Sequence, residues 1–327
     1  MNPLEEILRE EISAAGPIPF RRFMELSLYH PRHGYYTAGR DPFGVRGDFY
    51  TAEQLQPVFG VLAAAWVREL RSRLGDPESF RVVELGAGRR EMAPAFAGFS
   101  YLPVEVGEGK LPPQGFNGVV FANEFFDALP VDVAQFAAGE YWQRLVDWNN
   151  GRFRWVQGPP VDGEQAAYLE LAGAPREEGF VVEIGLGAMD WMRRAGDALK
   201  RGFALIIDYG YTAREWARFP QGTLMAYRGH AALDDVLAEP GGRDLTAHVC
   251  FTALERCAQR AGLERARFES LAAALLRAGE SDSFAAALAG DSEQERLRRR
   301  MQLKTLLYGM GETFRVLLLE KNSPKRK

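Results

Sequence analysis

The chain has 327 residues, of which 46% are hydrophobic and 26% charged, so it can bury one large core or two smaller ones. Its net charge of −4 does not provide the basic field on which non-specific nucleic-acid binding relies, which excludes nucleic acid as a first candidate partner. The N-terminus is acidic and amphipathic and no apolar stretch is long enough to span a bilayer, so we expect a cytoplasmic protein without stable membrane insertion.

The N-terminal part of the chain is predicted to consist of short amphipathic helices. Apolar residues recur at helical spacing over residues 4–14, 20–29 and 57–74. A loop rich in Gly, Pro and Tyr follows the second of these helices. We therefore interpret residues 1–55 as an N-terminal extension that forms a lid, and residues 56–327 as the core.

Short apolar runs recur along the core, with helix-like segments between several of them. These runs are residues 80–85, 101–106, 118–122, 180–184, 203–207 and 310–321. Alternating strands and helices predict an α/β fold with a mainly parallel sheet that is covered on both faces. Residues 131–158 alternate and predict an inserted antiparallel meander, whereas residues 231–300 are Ala-rich and are predicted to be a mostly helical insertion. Within the latter, the Arg-rich residues 295–304 are expected to form a solvated helix face.

The sequence ELGAG, residues 84–88, directly follows the first of these strands. Gly86 and Gly88 would let the backbone approach a ligand closely. Glu105 ends the next strand about 20 residues later, where a carboxylate can accept both hydroxyls of a ribose. A nucleotide site is one interpretation, and an ordinary tight turn beside an exposed Glu is the other. The missing third glycine of GxGxxG argues against a nicotinamide oxidoreductase.

A second string, EIGLG at residues 183–187, is nearly identical to the first. It follows the predicted meander and is expected late in the sheet, whereas cofactor loops occupy the first crossover. We therefore do not expect it to bind the cofactor.

Polar residues also follow the strand at 118–122, in the sequence NEFFDALP. Asn123, Glu124 and Asp127 are expected at the carboxyl edge of the sheet, where open α/β folds bind ligands. Acids among apolar neighbours are costly unless something pairs with them, which favours a functional role. Capping acids at a helix N-terminus are the alternative.

Eight motifs occur in a fixed order along nearly the whole chain. They are GYY (34–36), GDFYT (47–51), ELGAG (84–88), NEFFDALPV (123–131), DYGY (208–211), GTLMAYRGH (222–230), DLTAHV (244–249) and MGETFRVLLLE (310–320). Together they resemble the S-adenosylmethionine-dependent methyltransferase family of MidA-like proteins, which includes the mitochondrial complex I assembly factor, a protein arginine methyltransferase.

The resemblance implies a class I, Rossmann-like methyltransferase fold that binds S-adenosylmethionine and methylates a protein side chain. Arginine is the expected acceptor, and a subunit of respiratory complex I is one candidate substrate. The cofactor-binding residues that the resemblance implies are Asp48, Thr51, Glu84, Gly86, Gly88, Glu105 and Asn123.

A guanidinium acceptor would need fixed carboxylates that bind it bidentately, and Glu124 and Asp127 are the predicted catalytic pair. Asp208, Tyr209 and His230 are predicted to bind the substrate. Methyl transfer from a sulfonium is a displacement with a good leaving group, so no metal site is predicted.

Two departures from the family pattern ELGPGRG keep another function open. Ala87 replaces its proline and Arg90 its last glycine, and residues 105–118 are too few for the usual third strand with its adenine-binding acid. A catalytically weakened assembly or scaffold protein that binds a partner protein is therefore the second interpretation, and a nicotinamide oxidoreductase is the third. The oligomeric state stays open, with a homodimer as one option.

Overall fold

The computed structural model describes residues 2–39, 52–105, 110–113, 115–229 and 231–322. Three chain segments form each of two compact units. The first unit comprises Met1–Tyr50, Asp127–Asp190 and Tyr211–Leu254, and the second comprises Thr51–Phe126, Trp191–Gly210 and Glu255–Lys327.

Helices and strands alternate along much of the described chain. The α-helices are α1 (Pro3–Ala15), α2 (Phe20–Tyr29), α3 (Val58–Arg73), α4 (Ala93–Phe96), α5 (Gly163–Ala172), α6 (Leu186–Ala198), α7 (Phe251–Arg260), α8 (Leu271–Glu280), α9 (Ala285–Leu288) and α10 (Glu293–Lys304). The strands are β1 (Ile18–Pro19), β2 (Arg81–Leu85), β3 (Ser100–Val104), β4 (Phe116–Asn123), β5 (Asp132–Ala137), β6 (Glu140–Asn149), β7 (Arg152–Pro160), β8 (Val181–Ile184), β9 (Leu199–Tyr211), β10 (Met225–Arg228), β11 (Ala231–Leu233), β12 (Asp244–Thr246), β13 (Val249–Cys250), β14 (Glu264–Ser270) and β15 (Phe314–Lys321). Two 3-10 helices (Ala52–Gln54 and Ala213–Arg218) and a π-helix (Thr305–Met310) complete the described elements.

The second unit is built on a mixed sheet with the order β14-β15-β9-β4-β2-β3, and the two-residue β13 pairs with β9 off this path. Strands β3, β2, β4 and β9 are parallel, and β15 lies antiparallel between β9 and β14. Nearly every residue of β2 and β4 is buried, as expected for parallel strands that are covered on both faces. This arrangement confirms the predicted α/β class.

The first unit contains the predicted meander. Strands β5, β6 and β7 form successive antiparallel hairpins, whose turns use left-handed residues at Ala138–Gly139 and Asn150–Gly151. Strand β8 pairs antiparallel with β5 in this same sheet. The run at 180–184 is therefore a strand as predicted, but it does not belong to the main sheet. An apolar run in a sequence indicates that a strand is buried, but it does not indicate which strand it pairs with. This explains why β8 was assigned to the main sheet.

The two N-terminal helices contribute to the core of the first unit. Asn2 caps α1 by accepting a hydrogen bond from the Leu4 backbone N–H at 3.0 Å, and Leu4 and Leu8 place fully buried side chains on one helix face. Phe20 and Phe23 of α2 are also fully buried in the same cluster. Residues 2–39, the part of the predicted extension described in this unit, therefore contribute to its core.

The stretch 231–300 is less helical than predicted, because it also contains β11, β12, β13 and β14. Strand β14 (sequence ERARFES) lies at one end of the main sheet, and its first four residues are exposed. A charged edge strand lacks the apolar run by which strands are recognised in a sequence.

No helix among the described residues is both long and apolar enough to cross a membrane.

Candidate active site

The polar residues predicted for the site follow neighbouring strands of the second unit. In the parallel register Leu85 of β2 lies beside Ala122 of β4, and Asn123 lies beside Ile207 of β9. The glycine turn after β2, the end of β4 and Asp208 therefore share the carboxyl edge of the sheet, which is where open α/β folds bind ligands.

The glycine turn has two left-handed residues, and it leaves no room for a side chain at Gly86. Gly86 and Gly88 have φ angles of +69° and +47°, which favour glycine. A Cβ on Gly86 would lie 2.8 Å from the Phe125 ring. The Gly88 backbone N–H donates to the Glu105 carboxylate, so the structure brings together the predicted loop and the predicted ribose acid.

Arg90 adopts a backbone conformation that glycine favours. Its φ is +61°, in the left-handed region that glycine occupies at little cost, and its backbone N–H donates to Ala87 O at 2.6 Å. A non-glycine residue pays roughly 1 kcal/mol for this conformation.

A buried carboxyl pair adjoins the turn, and sequence reasoning identified only one of its members. Glu84 is fully buried in β2, accepts a hydrogen bond from the Tyr101 hydroxyl, and shares a hydrogen bond with Glu53. Burial raises the pKa of Glu84 to about 7, although the Tyr101 hydrogen bond opposes this shift. Burial and then the neighbouring Glu84 carboxylate raise the pKa of Glu53 well above its ordinary value. Glu53 follows the GDFYT motif closely, and that proximity was the available signal.

Glu124 is held in a strained conformation at the end of β4. Its φ is +50°, and its backbone N–H donates to Ile207 O at 2.9 Å. Its carboxylate Oε1 accepts from the Ala52 backbone N–H at 2.8 Å and from Asn123 Nδ2 at 3.2 Å. Non-glycine residues persist in such conformations where their surroundings fix them, and these positions cluster at functional sites.

Asp208 anchors the segment that follows Glu124. Its carboxylate is fully buried, with Oδ2 accepting from the Phe126 backbone N–H at 2.9 Å and Oδ1 from that of Tyr209 at 2.8 Å. The Tyr209 ring packs on Phe314 with a centroid distance of 3.9 Å. These contacts show loop anchoring and core packing, and the predicted substrate-binding role of Asp208 and Tyr209 stays a prediction.

Asp127, the other predicted catalytic acid, belongs to the first unit, where several motifs meet. The Tyr36 hydroxyl of GYY donates to Asp244 Oδ1 of DLTAHV at 2.8 Å, and the Tyr29 ring stacks on Tyr36 at 5.6 Å. Burial raises the pKa of Tyr36 and of Tyr227, and the Asp127 and Asp244 carboxylates raise both further. This unit therefore contains its own group of acids and tyrosines.

The second glycine string has a structural role in the first unit. Glu183 is buried, and its carboxylate accepts from the Thr223 backbone N–H at 2.6 Å, the Thr223 hydroxyl at 3.2 Å and the Leu224 N–H at 3.3 Å. Gly185 and Gly187 do not adopt left-handed conformations. The Glu183 carboxylate accepts hydrogen bonds from within the unit, and the two glycines have no left-handed backbone. Both observations agree with the prediction that EIGLG is not the cofactor loop.

Asp48, Thr51 and His230 lie outside the described residues. Within the described part of the chain, no three His, Cys, Asp or Glu side chains are placed to hold a metal ion.

Comparison with known proteins identifies close relatives. The family model for S-adenosyl-L-methionine-dependent methyltransferases matches residues 104–269. The mitochondrial protein arginine methyltransferase NDUFAF7 homolog of Drosophila melanogaster is 30% identical, and the alignment covers 79% of this chain and 70% of that protein. The Homo sapiens protein arginine methyltransferase NDUFAF7, also mitochondrial, is 26% identical with the same coverage. A COG1565 superfamily crystal structure from Burkholderia thailandensis, bound to S-adenosyl-homocysteine, is 32% identical with a TM-score of 0.85, covering 98% of this chain and 92% of that chain.

The sheet, its glycine turn and these matches define a class I methyltransferase that depends on S-adenosylmethionine. The chain belongs to the methyltransferase family whose model it matches, which confirms the resemblance inferred from the eight motifs.

The described residues fit this cofactor. The turn at Gly86 is closed to any side chain, and Glu105 ends β3 beside it. Asn123 is 4% exposed, and its Oδ1 has no hydrogen-bond partner within the described ranges, so an acceptor is available for a ligand. We expect these three residues to hold the cofactor, and the Glu53–Glu84 pair to lie close to it.

The predicted cytoplasmic location is wrong by these comparisons, since the relatives are named as mitochondrial proteins. The prediction rested on composition and on the absence of a spanning segment. Neither property distinguishes the compartments in which a globular protein can fold.

Proposed function

We propose that this methyltransferase modifies an arginine side chain in a partner protein. The observation that carries the proposal is the Glu124 carboxylate, which is fixed beside Asn123 at the sheet edge by a strained backbone and by the Ala52 amide. The names of the relatives, protein arginine methyltransferases, support the same acceptor.

The chemistry of arginine explains the need for a fixed carboxylate. The guanidinium remains charged at any physiological pH, so a neutral nitrogen is not available in advance. A carboxylate binds the planar cation through two parallel hydrogen bonds and orients one nitrogen. S-adenosylmethionine supplies an electrophilic methyl group when bound. Glu124 would hold the acceptor nitrogen in line with that group, and its carboxylate would accept the proton that this nitrogen loses when it gains the methyl group. Positioning then supplies most of the catalysis.

The first unit offers further support for a cationic, protein-borne acceptor. Asp127 and Asp244 there are 5% and 3% exposed, beside the stacked Tyr29 and Tyr36 rings. Buried carboxylates and aromatic rings are the groups that bind guanidinium cations in proteins. Asp127 therefore remains our second predicted catalytic residue. We include a complex I subunit among the candidate acceptors because of the motif resemblance.

The test is transfer of a radiolabelled methyl group from S-adenosylmethionine into proteins of a lysate, followed by amino-acid analysis. We expect label in methylarginine, and we expect Glu124→Gln to reduce transfer by about 10²-fold or more with little change in cofactor affinity. Glu78→Gln, at an exposed glutamate of the same unit, is the matched control and should transfer at the parental rate. Label in another amino acid, or an unchanged rate in Glu124→Gln, would contradict the arginine proposal.

A weakened assembly or scaffold protein is the second candidate function, because Ala87 and Arg90 depart from the family turn. The left-handed backbone of Arg90, a conformation that glycine favours, counts against it. Cofactor binding without transfer to any protein in the same assay would support this alternative.

A further inference from the structure

Helix α10 and the π-helix that continues it place a row of large apolar side chains in solvent. Leu297, Met301 and Tyr308 are 59%, 56% and 78% exposed. The spacing of four residues puts Leu297 and Met301 on one face of α10, and Tyr308 follows in the π-helix. We call these three residues the exposed stripe.

Basic residues border the exposed stripe on both sides. Arg300 and Lys304 lie three residues after Leu297 and Met301, whereas Arg298 lies on the other flank. Helix α10 holds five basic and two acidic residues, a net charge of +3, in a chain whose net charge is −4. Positive charge is therefore concentrated around the exposed apolar row.

The rotation of this helix is fixed by its opposite face. Leu306 is fully buried, and the 8% exposed Gln302 donates from Nε2 to Gln56 O at 2.6 Å. Because Gln302 and Leu306 are four residues apart on that face, the segment cannot turn to bury the stripe without breaking these contacts. Exposure of Leu297 and Met301 is therefore built into the packing of the second unit.

We infer that the exposed stripe is a docking surface for an anionic membrane, on which α10 lies in the plane of the headgroups. A helix with an apolar row between Arg and Lys side chains is suited to this position, since the long cationic chains reach the headgroups while the apolar row enters the acyl boundary. The ring of Tyr308 has the amphipathic character that is enriched at membrane interfaces.

Other occupants fit the stripe less well. A second copy of the chain would bring Arg298 and Arg300 against the same arginines, a like-charge contact without an acidic complement. A protein partner would need about 800 Å² on this side, more than three side chains of one helix supply. Binding to an anionic lipid surface requires exposed apolar side chains with flanking basic residues, and α10 has both.

The test is co-sedimentation of the full chain with vesicles of an equal mixture of phosphatidylcholine and phosphatidylglycerol, compared with phosphatidylcholine alone. We expect binding to the anionic vesicles only. Leu297→Ser/Met301→Ser and Arg300→Glu should each weaken it by about tenfold. Leu276→Ser, at a leucine 51% exposed on α8, and Arg176→Glu, at an exposed arginine of the first unit, are the controls and should bind as the parent does.

Each other outcome overturns the inference. These are no binding to anionic vesicles, equal loss in the control variants, and binding that the apolar substitutions leave unchanged. Analytical ultracentrifugation provides a separate check, since a dimer that Leu297→Ser/Met301→Ser dissociates would identify the stripe as a subunit interface. Thermal unfolding of each variant, whose substituted positions are all exposed, should match the parent and thus exclude misfolding as the cause.

Discussion

At the scale of single residues, the carboxyl groups of Glu53 and Glu84 are a buried pair whose protonation should depend on pH. Both are buried, both have raised pKa values, and they share a hydrogen bond. Two adjacent carboxyl groups in a buried, low-dielectric environment cannot both ionise at low cost. Near neutral pH the folded pair therefore retains a proton that the unfolded chain would release.

The first prediction is that the contribution of this pair to the stability of the ligand-free protein is lost as the pH rises from about 5 to 8. A carboxyl whose pKa is raised on folding stabilises the native state fully below its unfolded pKa, near 4.5, and loses that contribution as the pH passes its folded value, about 7 for Glu84. Glu53→Gln removes one ionisable member while keeping a donor for Glu84. We therefore expect a higher Tm than the parent at pH 8 and a shallower pH dependence, measured by calorimetry.

Glu264→Gln is the control for this experiment, because Glu264 is an exposed glutamate of the same unit. It should leave the pH profile of Tm unchanged. A pH profile of Tm in Glu53→Gln that matches the parental profile would refute the assignment of the buried pair.

At the scale of elements, the segment after β4 is the part of the site that neighbouring strands hold in place. Strand β9 contributes two anchors, the Ile207 carbonyl for the Glu124 N–H and the Asp208 carboxylate for the Phe126 N–H. The Phe125 ring in between contacts Trp191 edge to face at 5.3 Å. We therefore propose that Asp208 acts on Glu124 through the backbone, as a positioning residue.

The second prediction concerns this anchoring. Asp208→Asn retains one acceptor oxygen for two backbone N–H groups, and leaving one buried donor unsatisfied costs about 1–3 kcal/mol. We expect a lower Tm together with a lower kcat, because the same displacement loosens Glu124, and little change in KM for the protein substrate. Asp197→Asn, at an exposed residue of α6, serves as the matched control. A raised KM with an unchanged Tm would instead assign Asp208 to direct substrate binding.

At the scale of the whole molecule, the sequence predicted the parts of the site that depend on local pattern. The strand followed by ELGAG, the acid after the next strand and the turns of the meander can each be recognised from a few neighbouring residues. Pairing across the chain could not be predicted in that way. Strand β8 pairs with β5 of the meander, and Glu53 forms a hydrogen bond with Glu84, about 30 residues later in the chain. Both contacts depend on tertiary packing, which local sequence patterns do not reveal.

The division into two units also followed tertiary packing. The N-terminal helices, the meander and residues after β9 form one body, although they are far apart in the chain. All the predicted cofactor residues that the structure describes, Glu84, Gly86, Gly88, Glu105 and Asn123, belong to the other unit. Cofactor binding should therefore be a property of the second unit, with consequences for the unfolding of the molecule.

The third prediction follows from this location. S-adenosyl-homocysteine at 100 times its Kd should stabilise the parent protein by about 2.7 kcal/mol, seen as a rise of Tm in calorimetry. Gly86→Val should abolish that rise, because its side chain would occupy space 2.8 Å from the Phe125 ring and its φ of +69° is unsuited to a β-branched residue. Gly98→Val is the control, since a Cβ there meets nothing within 4 Å and its φ is not left-handed. It should lower the starting Tm little and keep the full ligand-induced rise. If Gly86→Val retains the rise, the turn after β2 does not hold the cofactor, and this assignment of the site fails even though the family membership stands.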